Sequence, residues 1–157
     1  MPGKPGVPWT IAVTVLLAGP WLAATRADDD KIEITVLAIL ASEKNNSVDD
    51  RLKDVAKEIQ KKEPALIGFK EERVTKKSIK IGDKATFPLV DEKEVVVILT
   101  ERDPKDGRVT VTIKPPTVGD ITYICCCGKF FPVITRYVTK ADERLIVAVM
   151  VKPCHKK

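Results

Sequence analysis

Three consecutive cysteines, Cys125, Cys126 and Cys127, and a fourth, Cys154, beside the only histidine, His155, are the residues of this chain best suited to chemistry. Two arrangements follow from their types. Cysteines in an oxidising compartment pair as disulfides, whereas thiolates with an imidazole hold soft metals. In the first, a member of the triplet pairs with Cys154 and pins the C-terminal tail, stabilising the fold by about 2–4 kcal/mol less any strain. All four cysteines are candidates, and the sequence leaves the connectivity open. A bond between neighbours in the triplet is strained and not expected. In the second, Cys125, Cys127, Cys154 and His155 offer three thiolates and an imidazole to zinc or copper. Its C-x-C spacing stands alone and two of its ligands sit in a tail, so the metal site is the alternative and the disulfide the expectation. Redox chemistry ranks lower still: the C-x-x-C spacing is absent, and Lys129 is the only cation nearby in sequence to depress a thiol pKa.

Other chemistry finds little to work with. The sole histidine lies almost at the C-terminus, where a histidine-based triad is not expected. No glycine-rich phosphate loop occurs. Asp49-Asp50, Glu71-Glu72 and Asp91-Glu92 are adjacent within charged stretches and read as solvated surface rather than acid–base pairs. The chain therefore reads as a binding or scaffold module, with a metal binder second and an enzyme third.

The compartment comes from residues 1–27. Lys4 gives a positive start, Trp9 to Ala24 is an apolar run interrupted by Gly19-Pro20, and Thr25-Arg26-Ala27 offers small residues before Asp28. This is the three-part pattern of a secretory signal, and the run is shorter than a spanning helix requires. Cleavage after Ala27 leaves a single domain over residues 28–157, exported to a periplasmic or extracellular space, with no stable membrane insertion. Lys4 and Arg26 leave with the signal and no acid does, so the formal charge falls from +5 to +3. Lysines and acids are interleaved and only 5% of residues are aromatic, which argues against a nucleic-acid partner. The expected partner is another protein or a component of the cell envelope.

The elements that must position the cysteines are mostly strands. Asp28 to Asp30 form a charged arm. From Ile32 to Leu40 the pattern alternates and then turns wholly apolar, as in a strand with one end buried on both faces. Asn45-Asn46-Ser47 turns the chain, and Asn45 opens an N-x-S sequon relevant in a host that glycosylates. One helix is predicted over 48–62: Val48, Leu52, Val55, Ala56 and Ile59 form one stripe, Ser47 is its expected N-cap, and Glu63-Pro64 stops it. Beyond Pro64 the pattern is strands. Ile67 and Phe69 begin one. Gly82-Asp83 is a turn, with Ala85, Phe87 and Leu89 on the return, and Val95 to Leu99 is a dense β-branched run. A loop at Asp103 to Gly107 leads to Val109, Val111 and Ile113, which alternate with a wet face of Thr110, Thr112 and Lys114. Ile121 to Cys127, Phe131 to Val138 and Leu145 to Val151 are expected to form a three-strand meander. Such a meander places Cys154 and His155 at the same sheet end as Cys126 and Cys127.

The wording VDDRLKDVAKEIQKKEPALIGFK, KSIKIGDKATFPL and CCCGKFFPVITRYVTKADERLIVAVMVKPC, spread over most of residues 31–154, resembles a loosely defined group of small exported bacterial proteins of unknown function. The resemblance implies an exported single domain and carries over no functional residue. The expected fold is α+β: one amphipathic helix packed on an antiparallel β-sheet of about six to eight strands.

Overall fold

A computed structural model describes residues 31–125 and 128–152, together with Gly3 and Gly6. Eight strands and one short helix follow one another in the order β1 (Lys31–Ser42), α1 (Lys53–Lys62), β2 (Gly68–Lys80), β3 (Lys84–Pro88), β4 (Glu94–Arg102), β5 (Val109–Lys114), β6 (Ile121–Ile124), β7 (Phe131–Val138) and β8 (Arg144–Lys152). The strands form two four-stranded antiparallel sheets, β2-β1-β8-β7 (sheet A) and β3-β4-β5-β6 (sheet B). The expectation of helix and antiparallel strands holds, but the single sheet is corrected to two.

Alternation in β1 explains the layering. Ile32, Ile34, Val36, Ala38 and Leu40 point into a core shared with Val95, Val97 and Leu99 of β4 and Val109, Val111 and Ile113 of β5. Leu37, Ile39 and Ala41 point the other way, against Leu52, Val55, Ala56 and Ile59 of the helical segment and against Ile146 and Ala148 of β8. Successive strand side chains face opposite sides, so the wholly apolar half of β1 is covered twice, by sheet B and by α1. The alternating half, Lys31 to Thr35, is the half that the helix cluster does not reach.

The helix begins later than its apolar stripe suggests. Residues 50–52 form a 3-10 turn and α1 starts at Lys53, with no side-chain cap on either. Ser47 does not cap because its segment pairs with β2 instead. The Ser47 carbonyl accepts the Phe69 N–H at 2.9 Å, and the Asp49 N–H donates to the Phe69 carbonyl at 3.0 Å. The Asp49 carboxylate accepts the Glu71 N–H at 2.7 Å. At the other end Glu63 donates its N–H to the Ile59 carbonyl and Pro64 follows, as expected.

Gly82 and Gly128 do not close hairpins. Each lies where the chain passes from one sheet to the other, β2 to β3 and β6 to β7, and each has positive φ (91° and 77°), a conformation glycine adopts without strain. Both turns were legible in the sequence, whereas the change of sheet was not. The expected three-strand meander is therefore corrected: β6 pairs with β5, and only β7 and β8 pair with each other.

Two contacts fix the end of the sandwich that holds the β3–β4 turn. Asp91 and Glu92 take positive φ (50° and 62°), the backbone of a tight hairpin turn. The Tyr137 hydroxyl reaches from β7 to donate to the Asp91 carboxylate at 2.6 Å, with the Lys93 ammonium 5.1 Å from the Tyr137 ring centre. The hydrogen bond to Asp91, then burial, then the carboxylate charge hold the Tyr137 phenol above its ordinary pKa. A group with a raised folded pKa contributes stability below its unfolded value, about pH 10, and loses it as pH rises through the folded value. Ultraviolet titration should show a phenol ionising above the ordinary tyrosine range, and Asp91→Asn should bring that midpoint down.

Gly68 starts β2 where the backbone of the preceding loop lies against it: a Cβ built there falls 1.8 Å from the Asn45 carbonyl oxygen. Only backbone movement relieves that overlap. Gly68→Ala should destabilise the fold by about 3 kcal/mol, the upper range for overpacking, in a urea denaturation measurement. Loss of less than about 1 kcal/mol would show that the loop yields freely.

Candidate functional site: the β6–β7 crossing and its groove

β6 ends its ladder with one more bond. The Cys125 N–H donates to the Val109 carbonyl at 2.9 Å, and the side chain turns into the core between the sheets, 3% exposed. Its neighbours there are aliphatic residues such as Val109 and Val133. The chain then turns at Gly128 and enters sheet A at Phe131. Across this passage the rings of Tyr123 and Phe131 stack with centres 4.0 Å apart and planes at 11°. One ring belongs to the edge of sheet B and the other to the edge of sheet A, so the stack closes that flank of the sandwich. Phe130, beside it, packs on the helix-side cluster.

Between α1 and this passage runs a groove of about 830 Å³. Val55, Ile124, Phe130 and Pro132 give it apolar walls. Arg51, Lys57, Lys62 and Lys129 stand on its rim with Asp54 and Glu58. Ile124 is 61% exposed although it is a large apolar residue. The Lys61 ammonium donates to the Glu58 carboxylate at 2.8 Å; this bond and its charge, and more weakly Lys129 and Lys62, lower the Glu58 pKa against a small opposing effect of burial. At neutral pH the rim therefore carries both signs with an excess of cations. Grooves of several hundred cubic ångströms with apolar walls and a few polar groups are suited to ligands.

Of the predicted site residues, Cys125 is placed in the intersheet core. Cys126, Cys127, Cys154 and His155 lie outside the described residues, and so do the greater part of the proposed disulfide and metal sets. Among the described residues, no group of three or more His, Cys, Asp or Glu side chains is disposed around a common point for a metal. Phe131 lies opposite Val149, so β8 leaves sheet A at the end where the crossing enters it.

Five of the six adjacent acids, all but Glu92, have structural partners. Asp49 holds the Glu71 amide, Asp50 pairs with Lys53, Glu71 with Arg51, Glu72 with Lys70, and Asp91 with Tyr137. The wet face of β5 is present as read: the Thr112 and Thr122 hydroxyls share a hydrogen bond of 2.9 Å and Lys114 pairs with Asp120. Sequence reasoning missed the groove. Ile124 and Phe130 were its available signals, since both are apolar residues flanking a turn at Gly128.

No family model, no curated protein and no solved structure matches the chain. No helix among the described residues is long and apolar enough to cross a membrane.

The Tyr123–Phe131 stack should carry energy of its own beyond buried area. A double-mutant cycle with Tyr123→Leu and Phe131→Leu should give a coupling of about 1 kcal/mol, as measured for aromatic pairs. A coupling indistinguishable from zero would show that the flank is closed by burial alone.

Proposed function

We propose that this chain is an exported, non-catalytic binding module that holds an extended, partly apolar segment of another protein or envelope component in the groove between α1 and the β6–β7 crossing. The observation that carries this reading is an apolar-walled groove with charged rims, built on a helix and two edge strands. Apolar walls supply affinity, and charges at the rim orient the ligand. The structural partners of the acidic pairs, Asp91 with Tyr137 above all, weigh against an acid–base role for them.

The same reading includes a disulfide from Cys126 or Cys127 to Cys154. Lys152 ends β8 on the side where the crossing enters sheet A, and Cys154 follows two residues later, a reach of about 7 Å. Burial of Cys125 among aliphatic side chains favours its two neighbours as the bonded partner. It also leaves Cys125 poorly disposed as a ligand in a set shared with the tail. A bridge here would tie both edges of the groove's outer wall to the last strand. The group resemblance, an exported single domain, agrees with this reading.

Two measurements test it. Intact mass of the exported protein, native and denatured, should show residues 1–27 removed, a gain of one hydrogen pair on reduction, and no metal; Cys154→Ser should abolish the reducible bond. A mass surplus matching zinc or copper, lost with Cys125→Ser, would replace the disulfide by the metal site. For the groove, NMR shifts on adding extended peptides rich in Leu, Val and Phe should map to Val55, Ile124 and Phe130 and vanish with Ile124→Glu. Shifts centred instead on Thr110, Thr112 and Lys114 would move the site to the outer face of sheet B.

A further inference from the structure

The outer face of sheet A divides in two. One half is covered by α1. On the other, β1 carries Lys31, Glu33 and the buried Thr35, flanked by Lys76, Ser78 and Lys80 of β2 and by Met150 and Lys152 of β8. Lys31 stands directly opposite Lys80, Thr35 opposite Lys76, and Glu33 opposite Lys152. All four lysines are exposed. Among the described residues, four lysines thus lie on three adjacent strands with one acid, Glu33, between them. Like charges directly opposite on one face cost stability, and Lys80 stands in that position to Lys31. Lys76, Lys80 and Lys152 have no ion-pair partner among the described residues. Nor is the patch offset along its edge strand: from Arg73 to Lys80, β2 contains Arg73, Lys76, Lys77 and Lys80 and no acid. Val74, at the border with the helix-covered half, is 41% exposed and adds an apolar contact.

We infer that this face docks on an anionic bilayer surface. Two facts select a bilayer among polyanions. The cations spread across a flat sheet face rather than along a cleft, which suits a planar array of phosphates. Until the signal is removed, the chain also holds this end near a membrane: only six residues, at most about 25 Å of extended chain, separate Ala24 at the end of the apolar run from Lys31. The tail after Lys152, with Lys156 and Lys157, leaves the sheet at the same end. Asp28, Asp29 and Asp30 precede Lys31 and oppose the attraction. This inference stands apart from the groove, which lies beyond α1 on other residues.

The test uses the protein as exported, with whatever N-terminus it bears, sedimented with vesicles of phosphatidylcholine alone and of phosphatidylcholine containing phosphatidylglycerol. Neutral vesicles report any apolar anchoring, and the excess on anionic vesicles reports the patch. That excess should fall with rising salt. Each lysine near an anionic surface contributes roughly fivefold in partitioning, so reversing two, Lys76→Glu with Lys80→Glu, should lower the excess at least tenfold. Both positions are exposed, and an unchanged circular dichroism spectrum confirms folding. Reversing two cations elsewhere, Lys114→Glu with Lys140→Glu, should leave most of the excess, and deleting Asp28–Asp30 should raise it. Equal binding to both vesicle types, or equal loss in the two double variants, would overturn the inference. Retention on a soluble polyanion such as heparin with no excess on anionic vesicles would overturn it as well, in favour of a polymer ligand.

Discussion

Burial of β1 on both faces is the constraint around which the other elements are arranged. A strand that is apolar on one face needs one partner layer, and one that is apolar on both needs two. From Leu37 to Ala41 every side chain of β1 is buried, so sheet B must lie on one side and α1 on the other. The helix is short because the doubly apolar stretch is short. Ten residues at 1.5 Å rise span about 15 Å, roughly the length of five strand residues. Where α1 ends its coverage, β1 reverts to polar residues on that face, and its neighbours on β2 and β8 become lysines.

How much of this was legible follows from which residues carry period. β1, β4, β5 and β8 were readable because each has at least one buried face, and α1 because its stripe falls on a single side. β2 was harder. Its middle, from Lys70 to Ser78, has almost no apolar residue, since an edge strand beyond the helix faces solvent on one side and the rim of the sandwich on the other. Lys77 shows the consequence: it points toward sheet B, donates to the Thr86 carbonyl and lies 5.3 Å from the centre of the Phe87 ring, filling with its stem a place where an apolar residue was to be expected. Alternation reports burial rather than strand, so a strand without burial leaves no trace in it.

The division into two sheets left no trace either. A glycine with positive φ serves a hairpin and a change of sheet equally well, and local chemistry does not tell them apart. What separates them is the partner of the strand on each side, which is a property of distant residues: β6 finds β5, and β7 finds β8. Ser47 is a similar case. Its side chain is a good cap in isolation, but the Phe69 amide and carbonyl compete for the same segment and win, because pairing with β2 satisfies buried backbone groups that water cannot reach.

The location of the groove follows from the same topology. The chain changes sheet twice among the described residues, on opposite flanks of the sandwich. At the β2–β3 flank the passage is three residues, Ile81 to Asp83, and Lys77 lies across the seam. At the β6–β7 flank the passage is longer and begins with a residue, Cys125, that faces inward. The strands on either side are edges of different sheets, so they share no ladder, and the Tyr123–Phe131 stack spans the gap. A flank without a continuous ladder leaves a groove beside α1, lined by Val55, Ile124 and Phe130 among others. Ile124 and Phe130 are therefore left on the wall of a groove instead of in a core. The disulfide proposed above would add a covalent tie at the flank where the two sheets share no ladder.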